Sequence, residues 1–181
     1  MRKEISFKSF QIASAIFVII LGTILHFTYE WSGENRIVGI FSAVNESTWE
    51  HLKLVFFPTL ITIIVGCYLY GKKIICAKTV GVITALLFTV VFFYTYTGII
   101  GTNYAILNIA TFVVSAVLTD YIAYQIFTKN IRCSLILSII ALIVLLISFI
   151  CFTYNPPQIN LFKDPITGMY GIRHYFWTQN V

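Results

Sequence analysis

The chain has 181 residues, of which 59% are hydrophobic and only 10% charged, with a formal net charge of +5. A mean hydropathy of +0.88, with several uncharged stretches near or above the roughly 20 residues that cross a bilayer, excludes a water-soluble globular domain and places the chain among polytopic membrane proteins. Its basic residues are scattered over short connections and form no continuous patch, which excludes nucleic acid as a partner.

In chain order, Met1–Lys8 leads into an apolar run too long for a signal h-region, with no small-x-small cleavage site behind it, so Phe10–Tyr29 reads as a retained first span. It ends in His26-Phe27-Thr28-Tyr29-Glu30, followed by an outer loop over residues 31–46. Leu54–Tyr70, Ile74–Ile99, Tyr104–Phe127 and Cys133–Phe152 complete five predicted spans. All are helices, because hydrocarbon offers no partner to an open backbone group. Pro58 is expected to kink the second span and free a carbonyl. Residues 156–181 are too polar to span, carry turn signals at Asp164-Pro165 and Thr167-Gly168, and form a tail.

Arg2, Lys3, Lys8, Lys72, Lys73, Lys78, Lys129 and Arg132, eight of the twelve basic residues, fall on one side of this topology. Basic loops resist translocation, so the N-terminus is predicted to be cytoplasmic and the C-terminus extracytoplasmic. The expected class is an all-α, five-helix integral membrane bundle (1–155) with an extracytoplasmic tail (156–181), multi-pass in the cell membrane. Trp31, Trp49 and Trp177 then fall outside as an interfacial belt. Cys67, Cys76, Cys133 and Cys151 lack metal-ligand spacing and read as small apolar packing residues, with no disulfide on the outer face.

Charge is concentrated in Asn45-Glu46-Ser47-Thr48-Trp49-Glu50-His51-Leu52-Lys53, at the mouth of the second span. Charge so placed in an apolar chain marks a candidate site. His26 and Glu30 lie on one helical face, one turn apart. Ser47-x-x-Glu50 matches a capping box, a purely structural role for Glu50. Glu46, Glu50 and Lys53 are expected to share a face, where two carboxylates one turn apart repel unless a cation intervenes. A short connection makes the first two spans antiparallel neighbours, bringing two histidines and three carboxylates to one depth.

Imidazole and carboxylate are ligands for zinc or another divalent metal, and an open coordination position activates water. Without metal, the same set serves acid–base chemistry or binds a cationic ligand, and a structural ion-pair network is the third reading. The spacing matches no zinc motif such as His-Glu-x-x-His. Asp120, the other acid inside a span, lies about 24 Å down the fourth helix, where Lys72, Lys73 or Arg132 is its expected partner. Asn108 is a candidate for the vestibule wall or for bonding a neighbouring carbonyl, and His174 is a candidate tail contribution to the site.

The segments Ser42–Lys53, His26-x-x-x-Glu30-Trp31 and Phe162–Gly171 together resemble an uncharacterised family of small bacterial integral membrane proteins. That resemblance covers nearly the whole chain and implies a bacterial cell membrane, with no assigned activity. A fainter similarity is to the sterol-isomerase (emopamil-binding) superfamily, with five spans, a His-x-x-x-Glu, and an Asn before an Asp in a later span, here Asn108 and Asp120. In that superfamily acids handle protons in a lipid-accessible cavity, but this chain carries its His-Glu pair on the first span.

The leading expectation is a metal-dependent hydrolase of a lipid or lipid-linked substrate, with His26, Glu30 and His51 as ligands and Glu46 or Glu50 as general base. Asn45, Trp49, Lys53, Asn108, Asp120 and His174 are candidate substrate or ion contacts. The alternatives are a transporter or its substrate-binding subunit, using Glu46, Glu50 and Asp120, and a structural or regulatory subunit. Its partners are the bilayer and a lipid-like or small-molecule ligand.

Overall fold

The computed structural model describes residues 6–172, and these contain five long helices with no strand. They are α1 (Phe7–Trp31), α2 (Thr48–Tyr70), α3 (Lys73–Ile100), α4 (Ala105–Thr128) and α5 (Leu135–Tyr154). Each is long and apolar enough to cross a membrane. Their ends follow local chemistry. Ser6, Ser47 and Ser134 accept first-turn N–H groups at the starts of α1, α2 and α5. Gly101 closes α3 in the left-handed conformation, at φ 78°, which costs glycine nothing.

Four predicted spans match their helices to within three residues at each end, whereas α2 starts six residues earlier than Leu54. Hydropathy truncates that turn because it holds Glu50 and Lys53, which the fold neutralises against each other: Nζ lies 2.5 Å from Oε2, with both side chains essentially fully buried. Lys53 also donates to the Gly39 carbonyl and to Thr153 Oγ1, and Glu50 accepts the Val44 N–H. One buried pair thereby ties the α1–α2 connection and the end of α5 to the start of α2.

Helix α3 packs on α4, α1 on α2, α2 on α3 and α1 on α4, while α5 leans on α3. Two glycines set the closest approaches. A Cβ at Gly81 would fall on the Thr119 carbonyl of α4, and one at Gly22 on the Leu54 carbonyl of α2 and the Phe112 ring. The Leu54 carbonyl lies four residues before Pro58, which has no N–H to offer it. Phe56, Phe149, Val18 and Val82 fill the centre. Helix α5 is the most hydrophobic of the five, yet Ile136, Leu137, Ile140 and Val144 are exposed, as expected of a surface that meets lipid rather than water.

Two expectations are corrected here. Asp120 pairs with Lys78 of α3, not with Lys72, Lys73 or Arg132; Lys78 also donates to Ser14 Oγ of α1, and Ser14 donates to Asp120. An ion pair between two facing helices spares both charges the length of span that snorkelling to the surface would require. Cys76 and Cys133 are not separate packing residues but form a disulfide from α3 to the α4–α5 connection, with Cα atoms 6.2 Å apart.

Breaking a buried pair strands one charge, at a cost of about 3–5 kcal/mol, whereas replacing both partners with apolar residues is far milder. Glu50→Ala and Lys53→Ala should each lose stability on that scale in chemical denaturation of the detergent-solubilised protein. Glu50→Leu with Lys53→Met should lose less than either.

Candidate metal centre

The connection from α1 to α2 returns the chain to α1's last turns before α2 begins. Ser42 holds this return by accepting the Tyr29 N–H at 2.9 Å and donating to the Leu25 carbonyl. Asn45 then accepts the Ser47 N–H and donates to the Gly171 carbonyl of the tail. Because α2 starts at Thr48, Glu46 lies before the helix and does not share a face with Glu50, contrary to the helical reading. The two carboxylates part company. Glu50 turns inward to Lys53 and Glu46 turns across to α1.

His26, Glu46 and His51 converge there, each offering a ligand atom within 4.8 Å of the others. His26 Nε2 and His51 Nε2 are 3.2 Å apart, His51 Nε2 is 3.4 Å from Glu46 Oε2, and His26 Nε2 is 3.7 Å from Glu46 Oε1. Tetrahedral zinc with bonds of about 2.0–2.1 Å would separate its ligand atoms by roughly 3.3 Å. The observed edges bracket that value.

Protonation of His51 follows from its partners. Its Nδ1 lies 2.9 Å from the Ser47 carbonyl, which can only accept, so Nδ1 carries the proton and Nε2 presents a lone pair to the cluster. A backbone carbonyl in this position is the usual orienting partner of a metal-binding histidine. His26 Nδ1 is buried without a hydrogen-bond partner, so the protein does not impose that ring's tautomer. Below the range where the imidazoles take up their second proton, His51 Nε2–H donates to Glu46, and that hydrogen bond with the charges of both histidines holds the Glu46 carboxyl below its ordinary value against the opposing effect of burial. A depressed carboxylate stabilises the fold above the ordinary range, and that contribution is lost as pH falls through the lowered value.

The cluster borders a cavity of about 270 Å³ among α2, α3 and α4, lined near the cluster by Glu46, Thr48 and His51. Val55, Phe93 and Phe112 form its apolar walls; Asn103 and Asn108 offer amides, and Pro165 with Ile166 of the tail complete the lining. Asn108 is held by side chains rather than by a neighbour's carbonyl: Tyr96 donates its hydroxyl to it, and its amide donates to Asn103 Oδ1 at 2.7 Å.

The other expected residues take different places. Glu30 is exposed and is not among the converging atoms, but it borders a second cavity, of about 240 Å³, with Glu46 and Asn45. Glu50 and Lys53 are sealed in their ion pair and contact neither cavity. Trp49 packs in tilted and edge-on contacts among Phe149, Phe152 and Phe162 instead of facing substrate or a membrane interface. Asp120 belongs to the Lys78 pair. His174, with Arg173 and Trp177, lies outside the described residues. Thr48, Thr89, Phe93 and Thr111, which also line the cavity, carry no sequence signal that separates them from ordinary helix-facing residues.

The chain belongs to the DUF6512 family, a family of unknown function whose profile matches residues 1–172. No curated protein and no solved structure matches it.

Metal titration of the purified protein should give one zinc per chain. Removing a ligand should be at least as costly as the 10–100-fold affinity loss seen for second-shell partners, so His26→Ala, His51→Ala and Glu46→Gln should each weaken zinc by more than about tenfold. Binding should also fade below about pH 6.5, where free imidazole takes up its proton.

Proposed function

We propose that this DUF6512 protein is a membrane-embedded, metal-dependent hydrolase that acts on a lipid or lipid-linked substrate. The observation that carries the reading is the convergence of His26 Nε2, His51 Nε2 and the Glu46 carboxylate at zinc-like spacing on the edge of an amphipathic cavity. Two histidines and one carboxylate are a catalytic zinc set that keeps a coordination position open. A zinc ion held there supplies a Lewis acid and an activated water.

The roles of two carboxylates are exchanged relative to the sequence reading. Glu46 joins the histidines as a ligand, and Glu30, the exposed carboxylate one turn beyond His26, is the group free to take up a proton. Glu50 takes no part, because a buried carboxylate already bound to Lys53 has neither access nor a free lone pair facing the cavity. Asn103 and Asn108 are placed to hold a polar headgroup while Val55, Phe93 and Phe112 receive an apolar segment. The positive-inside asymmetry of the connections supports an extracytoplasmic position for this centre. The fainter sterol-isomerase likeness gains nothing from Asp120, which is paired with Lys78 and separated from the cluster by about 22 Å of α4, counted from Ala105.

The test is hydrolysis of membrane lipid extracts by purified protein, followed by mass spectrometry. Product should form with zinc, stop after chelation and return on zinc readdition. His26→Ala, His51→Ala and Glu46→Gln should each reduce the rate by more than about 100-fold, as expected when the activated water is lost. Asp120→Asn should retain the zinc-dependent rate per folded molecule. Substrate or proton flux in proteoliposomes that disappears in Asp120→Asn, with no hydrolysis by the intact protein, would instead establish the transporter reading.

A further inference from the structure

The opposite end of the bundle carries a further cavity, of about 360 Å³, which the proposed chemistry does not use. Lys72, Lys73 and Arg132 line it, together with the Cys76–Cys133 pair and the apolar side chains of Ile131 and Leu135. No acidic residue is in that lining. Among the described residues neither Lys72 nor Arg132 forms an ion pair with a carboxylate: Asp120 is committed to Lys78, Glu50 to Lys53, and Glu30, Glu34, Glu46 and Asp164 lie at the other end of the bundle, in the last turn of α1 or in the connections there. Lys73 is partly engaged, donating to the Phe127 carbonyl and to Asn130 Oδ1 at 2.8 and 2.7 Å.

Helix starts add to this charge. Helix α3 begins at the cavity, and its N-cap residue Lys72 supplies no side-chain acceptor to the first turn. Helix α5 begins there too, at Leu135. The positive ends of two helix dipoles therefore meet the same space as the uncompensated side chains. Positive-inside bias explains why basic residues gather at this end. It does not explain their convergence on a cavity that, among the described residues, has no acidic residue in its lining.

We infer that this cavity is a binding site for a phosphate-bearing anion, with the phosphodiester of an anionic lipid headgroup as its occupant. Arg132 offers a planar fork suited to two phosphate oxygens, and Lys72 offers a compact charge beside it. Ile131 is exposed at the rim, and Ile136 and Leu137 are exposed on the first turn of α5. These apolar side chains provide a ledge for the glycerol and upper acyl carbons that free phosphate lacks. A basic pocket between membrane helices is a known form of headgroup recognition. The disulfide between Cys76 and Cys133 ties the two sides of the cavity together.

The experiment is native mass spectrometry of the full chain, purified in neutral detergent and offered equal amounts of phosphatidylglycerol and phosphatidylcholine. One phosphatidylglycerol should be retained in preference to phosphatidylcholine. Lys72→Gln with Arg132→Gln should reduce its occupancy by about tenfold or more. Lys129→Gln with Lys8→Gln, which removes equal charge from the same end but outside the cavity lining, should leave it unchanged. Both altered chains should keep the parent's melting temperature, since the substituted side chains are at the surface. Millimolar inorganic phosphate that displaces the lipid would show that phosphate alone satisfies the site, and failure to displace it would show that the headgroup and its ledge are required. Equal retention of the two lipids, or equal losses in the two double variants, would overturn the proposal.

Discussion

The arrangement at the His/Glu end of the molecule depends on the buried pair between Glu50 and Lys53. Neither charge is tolerable alone in so apolar a setting, and their mutual attraction is completed by hydrogen bonds to Val44, Gly39 and Thr153. Those three partners come from the α1–α2 connection and from α5. The pair therefore anchors the connection that delivers Glu46, while α2 itself delivers His51. Charges that look like chemistry in the sequence thus serve partly as the frame for chemistry next to them.

Seen this way, the polar residues of this chain fall into two kinds. Glu50, Lys53, Lys78, Asp120 and Ser14 are buried and mutually satisfied, and they specify how helices meet. Glu46, His26 and His51 are partly open to solvent or cavity, with side-chain exposures of 42%, 28% and 28%, and His26 keeps a ring nitrogen without a partner. Burial costs are balanced in the first group. The second retains lone pairs directed at a common point, which is the condition for binding a cation or activating water.

The two ends of the bundle are also chemically opposed. At one end, imidazoles and a carboxylate converge beside an amphipathic cavity; at the other, cations and helix starts surround a cavity without acids. Antiparallel packing of consecutive helices produces this polarity, because α3 and α5 begin at the end where α2 and α4 finish. An exposed apolar belt on α5 separates the two, so a lipid bilayer would present different headgroup layers to two differently charged sites.

Much of this was legible in the chain itself. Five helices follow from span length and hydropathy, which are local properties, and the backbone has no other way to satisfy itself in hydrocarbon. The proximity of His26 to His51 follows from a short connection between antiparallel neighbours. What required tertiary structure was the rotation and partner of each side chain. Helical spacing grouped Glu46 with Glu50, but the N-cap at Ser47 left Glu46 outside the helix and free to join the histidines. Asp120 met Lys78 because α3 and α4 approach closely at Gly81, and Cys76 met Cys133 of the α4–α5 connection, registers that no one-dimensional pattern records. Sequence determined which charges had to find partners, since apolar surroundings make isolation costly; only packing decided which partners they found.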